Sequence, residues 1–333
     1  MKVIIIGAGI AGMTAATTIK KRDPSIEVIV INRESYIPYN RYVLTEFLCN
    51  QISENELFFT SIDELRDLGI KFRKGETVKH IDTGNHTIKL NNNEVLGYDQ
   101  LLIATGGNQH IGPLLAPFSR HIQTYYTLQD ILLLKRKLES IKNCVVYGNN
   151  LSTLDLMAGL HNLGKKITYL VKDEDVVFPL LHEEYARTIQ NFLKLKGIEI
   201  IFNDKPVKVE QSGSGYSVGT LTGQTIKTDI VFAWDDRRPN VDFFKSTDIY
   251  KKKGILVDTR LQTSIKGVFA AGDCVEIYHP VLKNYWINFG WPNAREQGEI
   301  AGRNILGDNI EYQIQDTLTF NLMGKPIKAR WWD

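Results

Sequence analysis

A strand, a glycine-rich turn, a helix and a second strand follow one another twice in this chain, and this repeat constrains the fold most strongly. The first copy spans 3–31 and the second spans 144–171. In each copy a short apolar run leads into glycine, then a helical pattern, then another apolar run, which is the order of a βαβ unit. Two copies indicate duplication of a nucleotide-binding unit, since a solenoid needs more repeats.

The repeat predicts an α/β protein with two Rossmann-like dinucleotide-binding domains, each with three layers around a parallel sheet. We expect the second domain, 113–246, to be inserted into the first, which comprises 1–112 and 247–333. The buried strand that ends in Thr-Gly-Gly at 105–107 is a natural crossing point, because glycine lets the backbone turn freely. Helices are predicted at 127–142, 183–196 and 292–306.

Composition and charge exclude several classes of protein. The 333 residues are 43% hydrophobic and carry a formal net charge of +2, which excludes intrinsic disorder and gives no electrostatic footprint for nucleic acid. No run approaches the roughly 20 apolar residues of a membrane span. The apolar start at 3–6 runs directly into glycine, so we interpret it as a first strand and not as a signal peptide. We expect a soluble, cytoplasmic protein.

The cysteines and histidines give no sign of a metal site or a disulfide framework. Cys49, Cys144 and Cys274 are far apart and form no CxxC pair, and the seven histidines are scattered. We therefore expect no metal to be bound by the side chains of this chain.

The first glycine turn has the spacing of a dinucleotide site, with Gly7, Gly9 and Gly12 between a strand and a helix. The glycines permit close approach of a pyrophosphate to the helix N-terminus, whose N–H groups favour anionic oxygens. The alternative is an ordinary glycine-rich turn. An acid at the end of the second strand would bind the ribose hydroxyls, and the candidates there are Asn32, Arg33 and Glu34, with Glu34 preferred.

Four ordered motifs resemble those of the pyridine nucleotide-disulfide oxidoreductase superfamily. The stretches 7–12, 102–106 and 263–273 resemble its FAD-binding signatures. The run at 36–41 resembles a narrower branch, comprising rubredoxin reductases, ferredoxin reductases of oxygenase systems and the flavin module of NAD(P)H-nitrite reductases. The resemblance covers 1–328 and implies FAD as cofactor, with NAD(P)H as a second candidate.

The resemblance also implies roles for individual residues. Asp273 would bind the ribityl or phosphate region of the flavin, and Arg41 would lie near the flavin or its phosphates. The helix that begins at Trp291 would face the isoalloxazine with its N-terminus, although simple core packing is an equal alternative for Trp291 itself. The cofactor-binding set is Gly7, Gly9, Ala11, Gly12, Asn32, Arg33, Glu34, Arg41, Ala104, Thr105, Gly106, Gly272, Asp273, Trp291, Pro292 and Ala294.

Two departures from the family concern its reactive groups. The segment 40–45, where the disulfide reductases of the family carry cysteine, has none, and Cys49 lies too far along the chain. Thiol–disulfide catalysis is therefore disfavoured. A lysine and a glutamate that flank the flavin in ferredoxin reductases align here with Glu46 and Asp155, which we take as the candidate catalytic residues. If these acids converge, one holds a proton with a raised pKa; the alternative is that both are solvated.

The second glycine turn departs from the nicotinamide-binding pattern. It has Asn149 and Asn150 after Gly148, and Thr153 where close packing asks for glycine. Asp236 adds a carboxylate where the anionic backbone of a dinucleotide would pass, and at ~4 Å two like charges repel by about 4 kcal/mol at an effective dielectric of ~20.

The sequence stops at Asp333, and we expect the chain to lack the C-terminal interface domain into which members of this family usually continue. We expect another polypeptide to cover the flavin-side surface, in a hetero-oligomer or a homodimer. Trp331 and Trp332 are candidate anchors for that partner, or alternatively they cap the protein's own sheet.

Two functions fit these observations. In the first, an enzyme passes electrons from NAD(P)H through FAD to a small redox protein or an iron–sulfur partner subunit. In the second, the chain is a flavin electron-transfer subunit of a larger redox complex and does not itself bind NAD(P)H.

Overall fold

The computed structural model describes residues 1–148, 150–172, 183–244, 247–279, 282–315 and 317–330. Its α-helices are α1 (Ile10–Arg22), α2 (Leu44–Leu48), α3 (Glu54–Leu57), α4 (Ile62–Asp67), α5 (Leu128–Lys135), α6 (Leu151–Asn162), α7 (Glu183–Leu195) and α8 (Trp291–Ile305). Short 3-10 helices cover Arg41–Val43, Ala116–His121, Leu138–Ser140 and Asp242–Phe244.

The strands of the first half are β1 (Lys2–Ile6), β2 (Glu27–Asn32), β3 (Ile70–Lys74), β4 (Val78–Asp82), β5 (Thr87–Leu90), β6 (Val95–Gly97), β7 (Gln100–Ile103), β8 (Gly107–His110), β9 (Asn143–Tyr147) and β10 (Lys166–Leu170). The later strands are β11 (Glu199–Ile201), β12 (Pro206–Ser212), β13 (Gly215–Thr220), β14 (Thr225–Thr228), β15 (Ile230–Ala233), β16 (Asp236–Pro239), β17 (Ile255–Val257), β18 (Val268–Ala270), β19 (Val275–His279), β20 (Asn284–Trp286), β21 (Thr317–Leu322) and β22 (Lys325–Arg330).

The chain divides into two compact units. The first unit comprises Met1–Asn40, Asn55–Asn108 and Arg238–Gln315, and the second comprises Arg41–Glu54, Gln109–Arg237 and Asp316–Asp333.

The boundaries of these units differ from the predicted ones, 1–112 with 247–333 and 113–246, at four segments: 41–54, 109–112, 238–246 and 316–333. The segment 41–54 belongs to the second unit because α2 packs against α5 and α6. The hairpin of β21 and β22 also belongs to the second unit, because β21 contacts α6.

A five-stranded parallel sheet forms the centre of the first unit, with the strand order β18-β7-β1-β2-β3. The strand β1 is a continuous apolar run whose last four residues are buried, as expected for a parallel sheet covered on both faces. The helices α1 and α8 pack closely against each other, because small residues occupy their contact. Two antiparallel or mixed three-stranded sheets, β4-β5-β6 and β17-β19-β20, complete this unit.

The second unit contains a four-stranded parallel sheet with the order β11-β10-β9-β15 and an antiparallel sheet of β12, β13 and β14. The predicted fold class, α/β with two Rossmann-like parallel sheets, is confirmed. Of the predicted helices, α7 and α8 match to within a residue at their described ends, whereas α5 stops at Lys135 and a 3-10 turn follows it. No helix in the described part of the chain has the length and apolarity needed to cross a membrane.

Candidate functional site

The N-terminus of α1 is free of capping side chains. Gly9 is its N-cap residue, no side chain accepts a hydrogen bond from the first turn, and that turn contains no acid. The first N–H groups of a helix have no partner within it, and the helix dipole adds partial positive charge there. The N-terminus of α1 therefore favours the binding of an anionic group.

The three glycines before and within α1 differ in what surrounds them. A Cβ atom on Gly7, where φ is +108°, would lie 2.2 Å from the carbonyl oxygen of Ala104. A Cβ on Gly12 would lie 2.0 Å from the carbonyl oxygen of Gly7. A Cβ on Gly9 would meet nothing within 4 Å. Packing thus requires glycine at two of these positions, while Gly9 leaves an opening beside the helix N-terminus.

A second uncapped helix N-terminus belongs to α8. Its N-cap is Gly290, at φ +117°, and its first turn carries neither a capping side chain nor an acid. The N–H of Gly290 donates to Oδ1 of the buried Asp273 over 3.2 Å. The N–H of Gly272 donates to Oε1 of Gln297 over 2.7 Å. Asp273 and Gln297 therefore hold the start of α8 in place.

Small residues bring the starts of these two helices together. A Cβ on Gly272 would lie 3.2 Å from the Cβ of Ala11 and 3.7 Å from the Cβ of Ala294. Further along α8, a Cβ on Gly298 would lie 2.2 Å from the carbonyl oxygen of Ala11. The structure thus assembles Gly7, Gly9, Ala11, Gly12, Ala104, Gly272, Asp273 and Ala294 in the first unit.

The polar residues at the end of β2 are partly occupied. The Asn32 amide nitrogen donates to the carbonyl oxygens of Glu34 and Tyr36, over 3.1 and 3.3 Å. The Glu34 carboxylate accepts the Tyr39 hydroxyl over 2.7 Å, and Arg33 is exposed. Asn32 therefore shapes the loop, while the Glu34 carboxylate is engaged by Tyr39.

Two further groups of predicted site residues also lie in the first unit: Thr105 with Gly106, and Trp291 with Pro292. Thr105 donates through its hydroxyl to the Asn240 carbonyl oxygen over 2.8 Å. The Asn240 N–H in turn donates to the Gly106 carbonyl oxygen over 2.8 Å. Trp291 is half-buried and packs edge-on against Phe59 with ring centroids 5.9 Å apart, and Pro292 is exposed.

Arg41 belongs to the second unit, where its guanidinium group is engaged by Tyr126. The Arg41 Nη1 atom donates to the Tyr126 carbonyl oxygen over 2.8 Å. Its Cζ atom lies 4.8 Å from the centroid of the Tyr126 ring, and the Cζ atom of Arg237 lies 5.2 Å from that centroid. No motif in the sequence indicated this pair of cation–π contacts.

The glycine turn of the second unit is filled by side chains. Asn149 lies outside the described residues, but Asn150 is the N-cap of α6, and its Oδ1 atom accepts the Thr153 N–H over 3.2 Å. A Cβ on Gly148 would lie 2.8 Å from Thr153 Oγ1 and 3.0 Å from Nε1 of the fully buried Trp234. The same direction is closed at Gly7, the equivalent glycine of the first turn, so among the described residues the turns differ at Asn150, which stands where the first turn has Gly9. Asp236 is the first residue of β16.

The two candidate catalytic acids interact with each other. Glu46 lies on α2 and Asp155 on α6, and these helices pack together within the second unit. Burial, and after it the charge of Glu46, raises the pKa of Asp155 to about 7. Oε2 of Glu46 is buried and has no hydrogen-bond partner among the described residues. The packing of α2 on α6 therefore brings the charge of Glu46 near enough to Asp155 to contribute to the raised pKa of its carboxyl group.

Tyrosines that the sequence did not suggest surround this acid pair. The Tyr125 hydroxyl shares a 2.6 Å hydrogen bond with Thr45 Oγ1. Burial raises the pKa of Tyr125, with further contributions from Asp155 and Glu46. Burial and the same two acids raise the pKa of Tyr42. Tyr125 is 80 residues from Thr45 in the chain, and no motif links them.

The cysteines are not arranged for thiol chemistry. All three are free; Cys144 and Cys274 are buried, and Cys49 is half-buried with its Sγ 3.5 Å from the Gly159 carbonyl oxygen. Burial raises the pKa of each thiol. Among the described residues there is also no cluster suited to a metal ion. The tryptophans proposed as partner anchors, Trp331 and Trp332, lie outside the described residues.

Three curated relatives share between a quarter and three tenths of their residues with this chain. NADH-rubredoxin oxidoreductase of Clostridium acetobutylicum is 28% identical over 93% of this chain and 76% of its own length. The 3-phenylpropionate/cinnamic acid dioxygenase ferredoxin–NAD(+) reductase component of Photorhabdus laumondii is 27% identical over 91% of this chain and 77% of its own. The assimilatory nitrate reductase electron transfer subunit of Bacillus subtilis is 25% identical over 92% of this chain, which spans 39% of that subunit.

Solved structures show the same fold at lower identity. The reductase chain in the covalent putidaredoxin reductase–putidaredoxin complex aligns with a TM-score of 0.89 at 20% identity, over 98% of this chain and 80% of that one. The ferredoxin reductase for the CYP199A2 system from Rhodopseudomonas palustris aligns with a TM-score of 0.90 at 21% identity, over 98% and 81%.

The family profile described as pyridine nucleotide-disulphide oxidoreductase matches residues 1–298. The match includes both glycine turns, Asp273 and the start of α8, in the order in which their motifs occur. The resemblance inferred from those motifs is confirmed, and the chain belongs to the pyridine nucleotide-disulphide oxidoreductase family.

Proposed function

We propose that this protein is an FAD-dependent oxidoreductase that passes electrons from NAD(P)H through the flavin to a small redox protein or a partner subunit. One observation carries the proposal: the uncapped N-termini of α1 and α8 meet around Gly272, beside the opening at Gly9. A dinucleotide pyrophosphate suits such a place, because backbone N–H groups and helix dipoles both favour it. The sequence predicts an FAD-dependent NAD(P)H oxidoreductase, and this is also the enzyme class of the family.

The residues of the first unit support FAD binding by their chemistry. The N–H groups at the start of α1 would hold the pyrophosphate, Glu34 would accept a ribose hydroxyl, and Asp273 would bind the ribityl or phosphate region. The start of α8 would favour negative charge on the flavin ring. When bound, FAD supplies hydride acceptance and the release of electrons to a one-electron partner.

The acid pair has a distinct role in this proposal. Burial and the nearby charge of Glu46 raise the pKa of Asp155 to about 7, so the Asp155 carboxyl group would hold a proton below that pH. The proposed role is to hold that proton at the Asp155 carboxyl group for exchange during the redox reaction. Tyr125 and Thr45 fix the surroundings of the pair through their hydrogen bond.

The names of the relatives support the choice of acceptor. They include a rubredoxin oxidoreductase and a ferredoxin–NAD(+) reductase component, and one structural neighbour is a complex with putidaredoxin. A small iron–sulfur or redox protein is accordingly the proposed partner, and the cytoplasm is the proposed location.

A second function is favoured by one specific observation. In the second glycine turn Asn150 stands where the first turn has Gly9 and caps α6 through the Thr153 N–H, which disfavours a nucleotide at this turn. The alternative is a flavin electron-transfer subunit of a larger complex that does not bind NAD(P)H. The Bacillus subtilis relative is named as such an electron transfer subunit.

Anaerobic mixing separates the two functions. The FAD-loaded protein is mixed with NADH or NADPH, and the absorbance of the oxidised flavin is followed. Bleaching by either nucleotide, followed by reoxidation with a one-electron acceptor, supports the enzyme. Bleaching by dithionite alone, with the same reoxidation, supports the subunit. A chain that retains no FAD contradicts both.

A further inference from the structure

We infer that Asn150 blocks the second nucleotide turn from within, so that NAD(P)H reaches the N-terminus of α6 only by displacing the Asn150 side chain. The inference rests on the proposed function and identifies Asn150 as the residue that sets the affinity of the protein for the nucleotide. Trp234 and Thr153 support the block from behind the turn.

The two glycine turns of the chain differ at the position that matters most for a pyrophosphate. In a dinucleotide turn the second glycine allows the backbone to approach the pyrophosphate. In the first unit this residue is Gly9, and no atom lies within 4 Å of the position that a Cβ on Gly9 would take. In the second unit it is Asn150, whose side chain is 8% exposed and folds over the start of α6. The chain thus places its own amide group where the first turn leaves an opening.

The Asn150 side chain also competes for the hydrogen bonds that an anion would use. Its Oδ1 atom accepts the Thr153 N–H over 3.2 Å and the Thr153 hydroxyl over 3.4 Å. A pyrophosphate at the start of α6 would need this N–H group, so it must replace the cap. The free energy of one such cap, measured against alanine, corresponds to roughly a fivefold change in affinity, and the side chain also occupies the space that the ligand needs.

The turn cannot make room by shifting backwards. Behind Gly148 lie Thr153 Oγ1 and the indole Nε1 of Trp234, and even one added methyl group would come within 3.0 Å of them. The Tyr169 hydroxyl donates to the Gly148 carbonyl oxygen over 2.6 Å and holds the turn from a third direction. A ligand at this turn must therefore move the Asn150 side chain outward.

The experiment measures binding of ADP-ribose, a nucleotide that cannot reduce the flavin, to the FAD-loaded protein by titration calorimetry. Asn150→Gly removes the competing side chain while keeping a residue that is tolerated at an N-cap. We expect this variant to bind ADP-ribose about tenfold more tightly than the unchanged protein. Asn150→Ser, which retains a shorter cap, is expected to bind with intermediate affinity.

A control variant separates the block from a general loss of helix capping. Ser61 caps α4 in the first unit by accepting the Glu64 N–H over 3.1 Å, so Ser61→Gly removes a comparable cap elsewhere. It is expected to leave ADP-ribose affinity unchanged. Equal or weaker binding by both Asn150 variants, at unchanged circular dichroism, would overturn the inference. Dithionite reduction and reoxidation of the unchanged protein test the proposed function separately.

Discussion

Gly12 of α1 lies directly against the carbonyl oxygen of Gly7, since a Cβ atom at Gly12 would come within 2.0 Å of that oxygen. Gly9, three residues earlier, has no neighbour in its Cβ direction. The glycines of one motif therefore have separable purposes. Gly12 permits the strand–turn–helix packing, whereas Gly9 leaves the helix N-terminus accessible.

Alanine substitutions should separate these purposes. Gly12→Ala is expected to lower the free energy of unfolding by about 3 kcal/mol, because the added carbon overpacks rigid backbone. Gly9→Ala, at φ −71°, is expected to change it by less than about 1 kcal/mol and to weaken FAD binding more than tenfold. Urea denaturation of the apoprotein and flavin titration measure the two quantities. Equal effects of both variants on stability would contradict this division.

The acid pair predicts a dependence of stability on pH. The pKa of Asp155 is raised from 3.8 to about 7, so the folded protein keeps a proton that the unfolded chain releases. The stabilising contribution is complete below pH ~4 and is lost as the pH rises through about 7. Asp155→Asn should therefore match the unchanged protein at pH 4 and exceed it at pH 8 by up to a few kcal/mol.

Urea denaturation at several pH values checks this expectation. Asp67 is exposed on α4, and Asp67→Asn serves as the matched control, with no difference that grows with pH. Parallel stability curves for Asp155→Asn and the unchanged protein would show that Asp155 is ionised throughout.

Substitutions at Asp273 test its place at the start of α8. Asp273→Ala removes the acceptor of the Gly290 N–H, so we expect flavin retention to fall more than tenfold and stability to fall by about 1 kcal/mol. Asp273→Asn keeps an oxygen at this place and should retain an intermediate amount of flavin. The ratio of flavin to protein absorbance after gel filtration measures the effect. Full retention by the alanine variant would remove Asp273 from the site.

The thiols should be unreactive in the native protein. Burial raises the pKa of Cys144 to about 12 and also raises the pKa of Cys49 and Cys274. At pH 8 we expect slow reaction with a disulfide reagent before unfolding, and rapid reaction of all three cysteines afterwards. Cys49→Ala should leave electron transfer intact. A single thiol that reacts within seconds in the folded state would point instead to thiol chemistry.

Local patterns predicted the parts of the site that lie within one strand–turn–helix unit. The glycines at 7–12 and the stretch ending in Asp273 are of this kind, because their geometry depends on neighbouring residues. The choice of Glu46 and Asp155 as candidate residues came from the family resemblance, and the structure adds the raised pKa of Asp155.

Contacts between distant segments could not be predicted from the sequence. Nothing in the local pattern indicates that Trp234 fills the space behind Gly148, or that Tyr125 meets Thr45. The assignment of 41–54 to the second unit could not be predicted for the same reason. The position of α2 is set by packing against α5 and α6, which are distant in the sequence, and not by its own helix propensity.

The sheet of the first unit has a consequence for how the chain is made. Its edge strand β18 pairs with β7, which lies more than 160 residues earlier, and the whole of the second unit's central sheet is synthesised between them. A nascent chain on the ribosome therefore cannot close the first sheet until β18 emerges. Pairing over such a separation is slow, so we expect a chaperone to bind β7 until β18 is available to pair with it.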